Sequence, residues 1–214
     1  MGMAMNGSEW ATTIANYNRA SSDHTVEMTL RVDSTSGNRR PGGNTGGWES
    51  RSSSGSLVLT SDHLQSGTLI TVTLNPIGQF THVVFVQDVT NGDRFGYVDG
   101  VQVSSNLSAS FSGAQNGLNN IGVSPGGAGQ GWNGVVANFR VFDRALSAGE
   151  IQTLFACRGT DGIVADSLLY HMNGGVEGQT VATLYEQVQA LHASSITGTP
   201  THNYDAGLRY RRNV

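Results

Sequence analysis

A chain of 214 residues with a formal net charge of −4 and only 13% charged side chains is sized for one buried core, and nothing in its charge draws it toward nucleic acid or an anionic membrane. A single cysteine excludes an internal disulfide, so packing has to supply the stability. The 29 glycines, abundant serine and threonine and only 4 prolines suit short strands joined by tight polar turns, and they exclude a helix-dominated or disordered chain.

From the N-terminus, residues 1–13 lack the basic region and apolar run of a secretory leader, and no segment approaches the roughly 18 apolar residues of a membrane span. The chain is therefore expected to be made and kept in a cytoplasm, or released by lysis. Trp10, Ile14 and Tyr17 have helical spacing, yet strand or loop fits equally, and residues 1–22 read either as an N-terminal arm or as a sandwich edge. Thr25 to Val32 alternates, with Val26, Met28, Leu30 and Val32 on one side and Thr25, Glu27, Thr29 and Arg31 on the other, which predicts a strand with one buried and one wet face. Residues 34–56 read as a long loop rich in glycine, serine and arginine, centred on Arg39-Arg40-Pro41-Gly42-Gly43 and Trp48; loops of that length are usually functional. Strands resume at 56–60 and 69–74, where Ile70, Val72 and Leu74 form an apolar row.

Between Phe80 and Ser104 the dipeptides Asn91-Gly92 and Asp99-Gly100 separate runs of valine, phenylalanine and tyrosine, predicting three antiparallel strands. After a strand at Val135–Phe142, Ser147 and Glu150 have capping-box spacing, and Ile151, Leu154 and Phe155 share one helical face, so a short helix should lie on the sandwich. Val181, Leu184, Tyr185, Val188 and Leu191 again have helical spacing, with strand or loop as the open alternative.

The phrases QFTHVVFVQDVTNGDRFGYVDGVQV, at 79–103, and NNIGVSPGGAGQGWNGVVANFRVFDRALSAGEIQTLF, at 119–155, resemble in order the laminin-G-like, or concanavalin A-like, jelly-roll family. The resemblance implies an all-β antiparallel jelly-roll sandwich with one or two short helices. Residues 166–208, with SLLYHMNGG and ALHASSITGTPTHNYDAG, resemble the strand and hairpin that open such domains, but here they come last. That order implies a circular permutation within a single domain over 1–214, the final segment closing the same sandwich.

Candidate chemistry is sparse. Gly122-Val123-Ser124-Pro125-Gly126 matches the pattern of a nucleophile elbow, but no helix follows Ser124 to lift it above a parallel sheet. Gly126 to Gly131 lacks the helix and the Gly-Lys-Ser/Thr of a phosphate cradle. Glycosidases on related folds alternate catalytic carboxylates along one strand; here there is no Glu-x-Asp, and Glu27 and Asp33 lie too far apart in the strand to serve. The six histidines (His24, His63, His82, His171, His192, His202) show no metal-ligand spacing, and His82 is expected to be a satisfied structural histidine. No catalytic residue, metal ligand or cofactor is expected. Calcium, held in many relatives by loop carboxylates and carbonyls, stays open as the alternative, with Asp88 and Asp93 as its candidate ligands, although their place beside a turn already accounts for them.

Two binding readings remain. The ending Gly-Thr-Pro-Thr…Leu-Arg-x-Arg-Arg resembles stand-alone phage members of the family, which implies a non-enzymatic virion protein made in a bacterial host, most simply a capsid decoration protein on the major capsid protein. Arg39, Arg40, Arg209, Arg211 and Arg212 would then be its contacts, a homo-oligomer such as a trimer its state, and nucleic acid and membrane no part of its binding. The alternative is a carbohydrate-binding lectin module or phage receptor-binding protein, with Trp48 stacking on a sugar face and Trp132 given to packing.

Overall fold

A computed structural model of the protein describes residues 2–6, 10–12, 22–44, 48–63, 70–107, 119–122, 130–157, 168–173, 185–186, 191–192, 195–197 and 201–203. The chain runs through β1 (Gly2–Asn6), β2 (Trp10–Thr12), β3 (His24–Val32), β4 (Arg39–Asn44), β5 (Trp48–Ser52), β6 (Val58–His63) and β7 (Ile70–Thr73). It continues through β8 (Phe80–Asp88), β9 (Asp93–Val98), β10 (Val101–Asn106), β11 (Asn119–Ile121), β12 (Asn133–Phe142) and the helix α1 (Ala148–Ala156). Then come β13 (Leu168–Asn173), β14 (Tyr185–Glu186), β15 (Leu191–His192), β16 (Ser195–Thr197) and β17 (Thr201–Asn203).

These strands form the expected two-sheet antiparallel jelly roll. Among the described residues one sheet has ten strands, ordered β10-β9-β8-β3-β12-β13-β14-β15, with β1 pairing β12 and β17. The other has seven, ordered β16-β2-β11-β4-β5-β6-β7. Core residues from both sheets meet between them, with Met28, Leu30, Val83 and Phe139 from the first facing Leu59, Val72 and Ile121 from the second. Trp132 joins this core and its indole Nε1–H donates to the Arg31 carbonyl at 3.1 Å, so packing is its role.

The β8–β9–β10 meander forms where its turn dipeptides fall. Asp99 (φ 49°) and Gly100 (φ 80°) are both left-handed, which is what a two-residue turn between paired Val98 and Val101 requires. The Asp99 carboxylate fixes that turn by accepting from the His82 backbone N–H and from the Asn75 amide, each at 3.0 Å.

The structure corrects two expectations. Residues 34–56 are not one loop, because β4 and β5 occupy most of the span. Their Gly-Gly and Ser-x-Ser sequences carry little intrinsic strand preference, but β11 and β6 flank them and complete their ladders, while a register shift between Arg39 and Gly42 absorbs Pro41. Arg39 and Arg40 therefore sit in a strand. The second correction is β3, which is buried on both faces, with Thr25, Glu27 and Thr29 each at 1% exposure or less. It is a central strand between β8 and β12, and the Thr25 hydroxyl bridges the chain leading into α1, donating to the Arg144 carbonyl and accepting from Leu146 N–H. The spacings at 10–17 and 181–191, which leave helix, strand and loop open, fall, where described, on strands β2, β14 and β15; Ile14, Tyr17, Val181, Leu184 and Val188 lie outside the described residues.

The helix α1 is as expected and is the one helix among the described residues. Its cap is reciprocal: Ser147 Oγ accepts from Glu150 N–H and the Glu150 carboxylate accepts from Ser147 N–H at 2.8 Å. Ile151 and Leu154 bury against Val84, Val86, Tyr97 and Phe142 on the outer face of the ten-stranded sheet. The Arg144 guanidinium, opposed by partial burial and aided by the Ser147 cap, pulls the Glu150 carboxyl down to about 2. A depressed carboxyl stabilises the fold above the unfolded value of 4.5 and loses that contribution as pH falls through its folded value. Ser147→Ala should therefore cost about 1 kcal/mol at pH 7 in urea denaturation, and clearly less at pH 2, where the carboxyl half of the cap is already titrating.

Candidate functional site

The two outer faces of the sandwich differ. On the ten-stranded sheet, α1 seals a polar cluster that sequence alternation had placed in solvent. Glu27, at 0% exposure, accepts from both sides: from Arg140 Nη1 at 3.0 and 3.2 Å, from Asn138 Nδ2 at 3.3 Å and from His82 Nε2 at 3.1 Å. Strand register explains the convergence, since Val84 and Arg140 both lie opposite Glu27, and His82 and Asn138 face its neighbour Thr29. The His82 ring stands 5.7 Å from the Phe155 ring of α1, and its Nδ1 is buried without a partner. With Nε2 turned to the Glu27 carboxylate and the ring held against Phe155, His82 has a structural role. A carboxylate closed off in this way cannot meet a substrate, so the Glu27–Asp33 pairing offers no catalytic site; Asp33 is taken up by a bidentate bond from Arg31 at 2.7 and 2.9 Å.

Among the described residues, no element covers the outer face of the seven-stranded sheet. Ser50, Ser52, Leu59, Ile70 and Val72 point inward and are buried, so alternation turns Arg51, Thr60, Thr71 and Thr73 outward. Arg51, Thr60 and Thr71 stand in one cross-strand row over β5, β6 and β7, with the two threonine hydroxyls 3.1 Å apart. At the end of this row a cleft of about 260 Å³ is lined by Asn38, Arg51, Ser52, Ser53 and Thr60.

Its walls are two loops, 34–38 and 53–57, fastened to each other. Ser54 N–H donates to Asn38 Oδ1 at 3.1 Å, Gly37 N–H to Ser54 Oγ at 3.2 Å and Gly55 N–H to the Thr35 carbonyl at 2.7 Å. The Asn38 side-chain oxygen is thereby committed to the loop contact. Besides Ser52, whose hydroxyl turns in to the Arg39 carbonyl, the lining combines a guanidinium, an amide and two hydroxyls, a mixed donor and acceptor set suited to sugar hydroxyls or to a polar peptide backbone.

The residues singled out from sequence do not converge on this cleft. The Arg39 guanidinium donates to the Ser36 carbonyl at 2.6 Å and the Gly131 carbonyl at 3.1 Å, tying β4 to the segment before Trp132, which makes it a structural cross-link. Arg40 is half-buried in β4, and its N–H donates to the Gln130 carbonyl at 3.1 Å. Trp48 opens β5 opposite His63, and its side chain lies outside the described residues. Arg209, Arg211, Arg212 and Ser124 lie outside them as well. Asp88 accepts from both the N–H and the side-chain amide of Asn91, at 2.9 and 2.7 Å, and no group of three or more metal-ligating side chains is assembled among the described residues. Nor is any helix among them long and apolar enough to cross a membrane.

Residues 6–152 match the family model described as the concanavalin A-like lectin/glucanases superfamily, laminin-G type. No curated protein matches the sequence. Among solved structures, a protein from Bacteroides ovatus provisionally described as carbohydrate-binding is similar at a TM-score of 0.71 and 16% identity, over 94% of this chain and 60% of that one. The botulinum neurotoxin serotype D binding domain is similar at 0.56 and 12%, over 74% of this chain and 42% of that one. The binding domain of botulinum neurotoxin DC, solved with SialylT, is similar at 0.50 and 13%, over 69% and 42%. The chain thus spans between two fifths and three fifths of these longer structures, and at such identities the likeness is one of fold.

Proposed function

The chain belongs to the concanavalin A-like lectin/glucanases superfamily, and from that membership we propose that it is a non-catalytic binding module whose ligand is a glycan held at the Asn38–Arg51–Thr60 cleft. The observation that carries this reading is the asymmetry of the two outer faces among the described residues: α1 covers one, while the other presents a polar cleft whose walls are hydrogen-bonded to each other. The described name of the Bacteroides ovatus neighbour is consistent with it. In this reading residues 1–214 act as one unit, with 166–208 as permuted closing strands, supported by the pairing of β13 with β12 and of β17 with β1.

On a glycan array the wild-type protein should retain a defined set of sugars, and Arg51→Ala combined with Thr60→Val should weaken that binding at least tenfold, as expected for losing a charge-assisted and a neutral hydrogen bond. Thermal unfolding should confirm that the double variant stays folded. Absence of any bound glycan, or binding indifferent to the double variant, overturns the reading.

A second reading, attachment to a protein lattice as a phage capsid decoration protein, is favoured by the exposed, uncharged strand β10 and by the arginine-rich ending. Quantitative mass spectrometry of purified particles from the encoding organism tests it: hundreds of copies per particle are expected, and none removes it.

A further inference from the structure

Residues 89–92 carry the chain from β8 to β9 and end on Asn91-Gly92. In such a dipeptide the glycine has no side chain to keep its nitrogen away from the carboxamide carbon of the asparagine before it. Asn91 is exposed, and Gly92 is left-handed at φ +77°. Neither burial nor sterics therefore shields this peptide bond. Hydrogen bonding does, because every backbone N–H from Val89 to Gly92 is engaged. Val89 and Thr90 donate theirs to Asp23 Oδ1 at 2.8 and 3.2 Å, Asn91 to Asp88 Oδ1 at 2.9 Å, and Gly92 to the Val89 carbonyl at 3.3 Å. The Asn91 side-chain amide donates to Asp88 Oδ2 at 2.7 Å, so one carboxylate grips both nitrogens of Asn91.

We infer that Asn91 is a latent site of spontaneous deamidation and that Asp88 is the clamp that keeps it intact. In the reaction Gly92 N gives its proton to water and bonds to Asn91 Cγ, the Cγ–Nδ2 bond breaks, and ammonia leaves. Water then opens the cyclic imide, and position 91 is left as aspartate or isoaspartate. Ring closure requires the Asn91 side chain to swing toward Gly92 N. Asp88 holds it the other way, back toward β8, through two hydrogen bonds that the carboxylate charge strengthens. Gly92 N must also leave the Val89 carbonyl before it can attack. Asp88 lies opposite Asp93 where the two strands end, so the product would set a third carboxylate beside that pair and push the hairpin apart. The inference is independent of what the cleft binds.

Peptide mass spectrometry on the full chain, aged in mildly alkaline buffer, tests it. The chain has no lysine, so trypsin releases residues 52–94 as one peptide, in which Asn91-Gly92 is the one Asn-Gly. Wild type unfolded in urea, and folded Asp88→Ala, should each deamidate there about tenfold faster than native wild type, as expected when a charge-assisted bond to the reacting amide is lost. Asp88→Asn, which keeps an acceptor oxygen without the charge, should fall between. Thr90→Val, which gives up the 3.1 Å bond from its hydroxyl to Asp23 but leaves Asp88 in place, should match wild type. Native wild type reacting as fast as in urea overturns the inference. So does an Asp88→Ala variant that melts with wild type yet reacts no faster, or one that reacts more slowly because Asp88 was serving as the base. If Asp88→Ala does not fold, Asp88→Asn decides in its place, and a wild-type rate overturns the inference.

Discussion

Glu27→Ala should destabilise the protein by about 3–5 kcal/mol, a large share of the total stability of a domain this size. The substitution removes the carboxylate that Arg140 and His82 share while leaving the Arg140 charge, at 3% exposure, in the interior beneath α1. Glu27→Gln should cost less, because the amide oxygen still accepts from one side while the charge is gone. Replacing Glu27 and Arg140 together by residues of similar volume, such as Leu and Met, should be milder than Glu27→Ala alone, since no uncompensated charge is then left inside. Guanidinium denaturation of the set gives the ordering directly. If Glu27→Ala were as stable as wild type, the cluster would have no part in holding α1 to the sheet.

Gly134→Ala should be comparably severe for a steric reason. Gly134 has φ of +151°, and a Cβ built there falls 1.9 Å from the Arg31 carbonyl oxygen on β3 and 3.1 Å from the Trp132 indole nitrogen. Neither neighbour can yield cheaply. The carbonyl belongs to a central strand and is the acceptor for Trp132, so relief means separating β12 from β3 where Gly134 lies opposite Val32. A loss of roughly 3 kcal/mol or more is expected, read as a drop in melting temperature or in soluble yield. Gly149→Ala, at a helical position with open space around the added methyl, serves as the control and should be neutral or stabilising.

Different elements were legible in the sequence for different reasons. The β8–β10 meander and the α1 cap could be read because their signals are local: Asp99-Gly100 dictates a turn by backbone sterics, and Ser147 and Glu150 complete each other's hydrogen bonds three residues apart. β4 and β5 could not, because Gly42, Gly43, Ser50 and Ser52 carry no apolar alternation and become strands only through the neighbours that flank them. The cleft was illegible for the same reason, since Asn38, Arg51 and Thr60 meet only once those strands exist. Glu27 illustrates a different limit. Alternation identifies which residues share a face, but whether that face is wet depends on α1, more than 100 residues further along the chain. The spacing at Tyr185 and Leu191 leaves helix, strand and loop open, and part of what decides for strand lies outside a local window: β14 and β15 pair with each other nearby, but β14 is completed by β13, more than ten residues earlier.

The fastened loops beside the cleft bear on kinetics as well as shape. Three hydrogen bonds already join residues 35–38 to 54–55, so whatever enters meets walls that need no ordering on its arrival. Capture should then proceed without a slow rearrangement, at a rate set by encounter and orientation, and differences among ligands should appear in how long each stays.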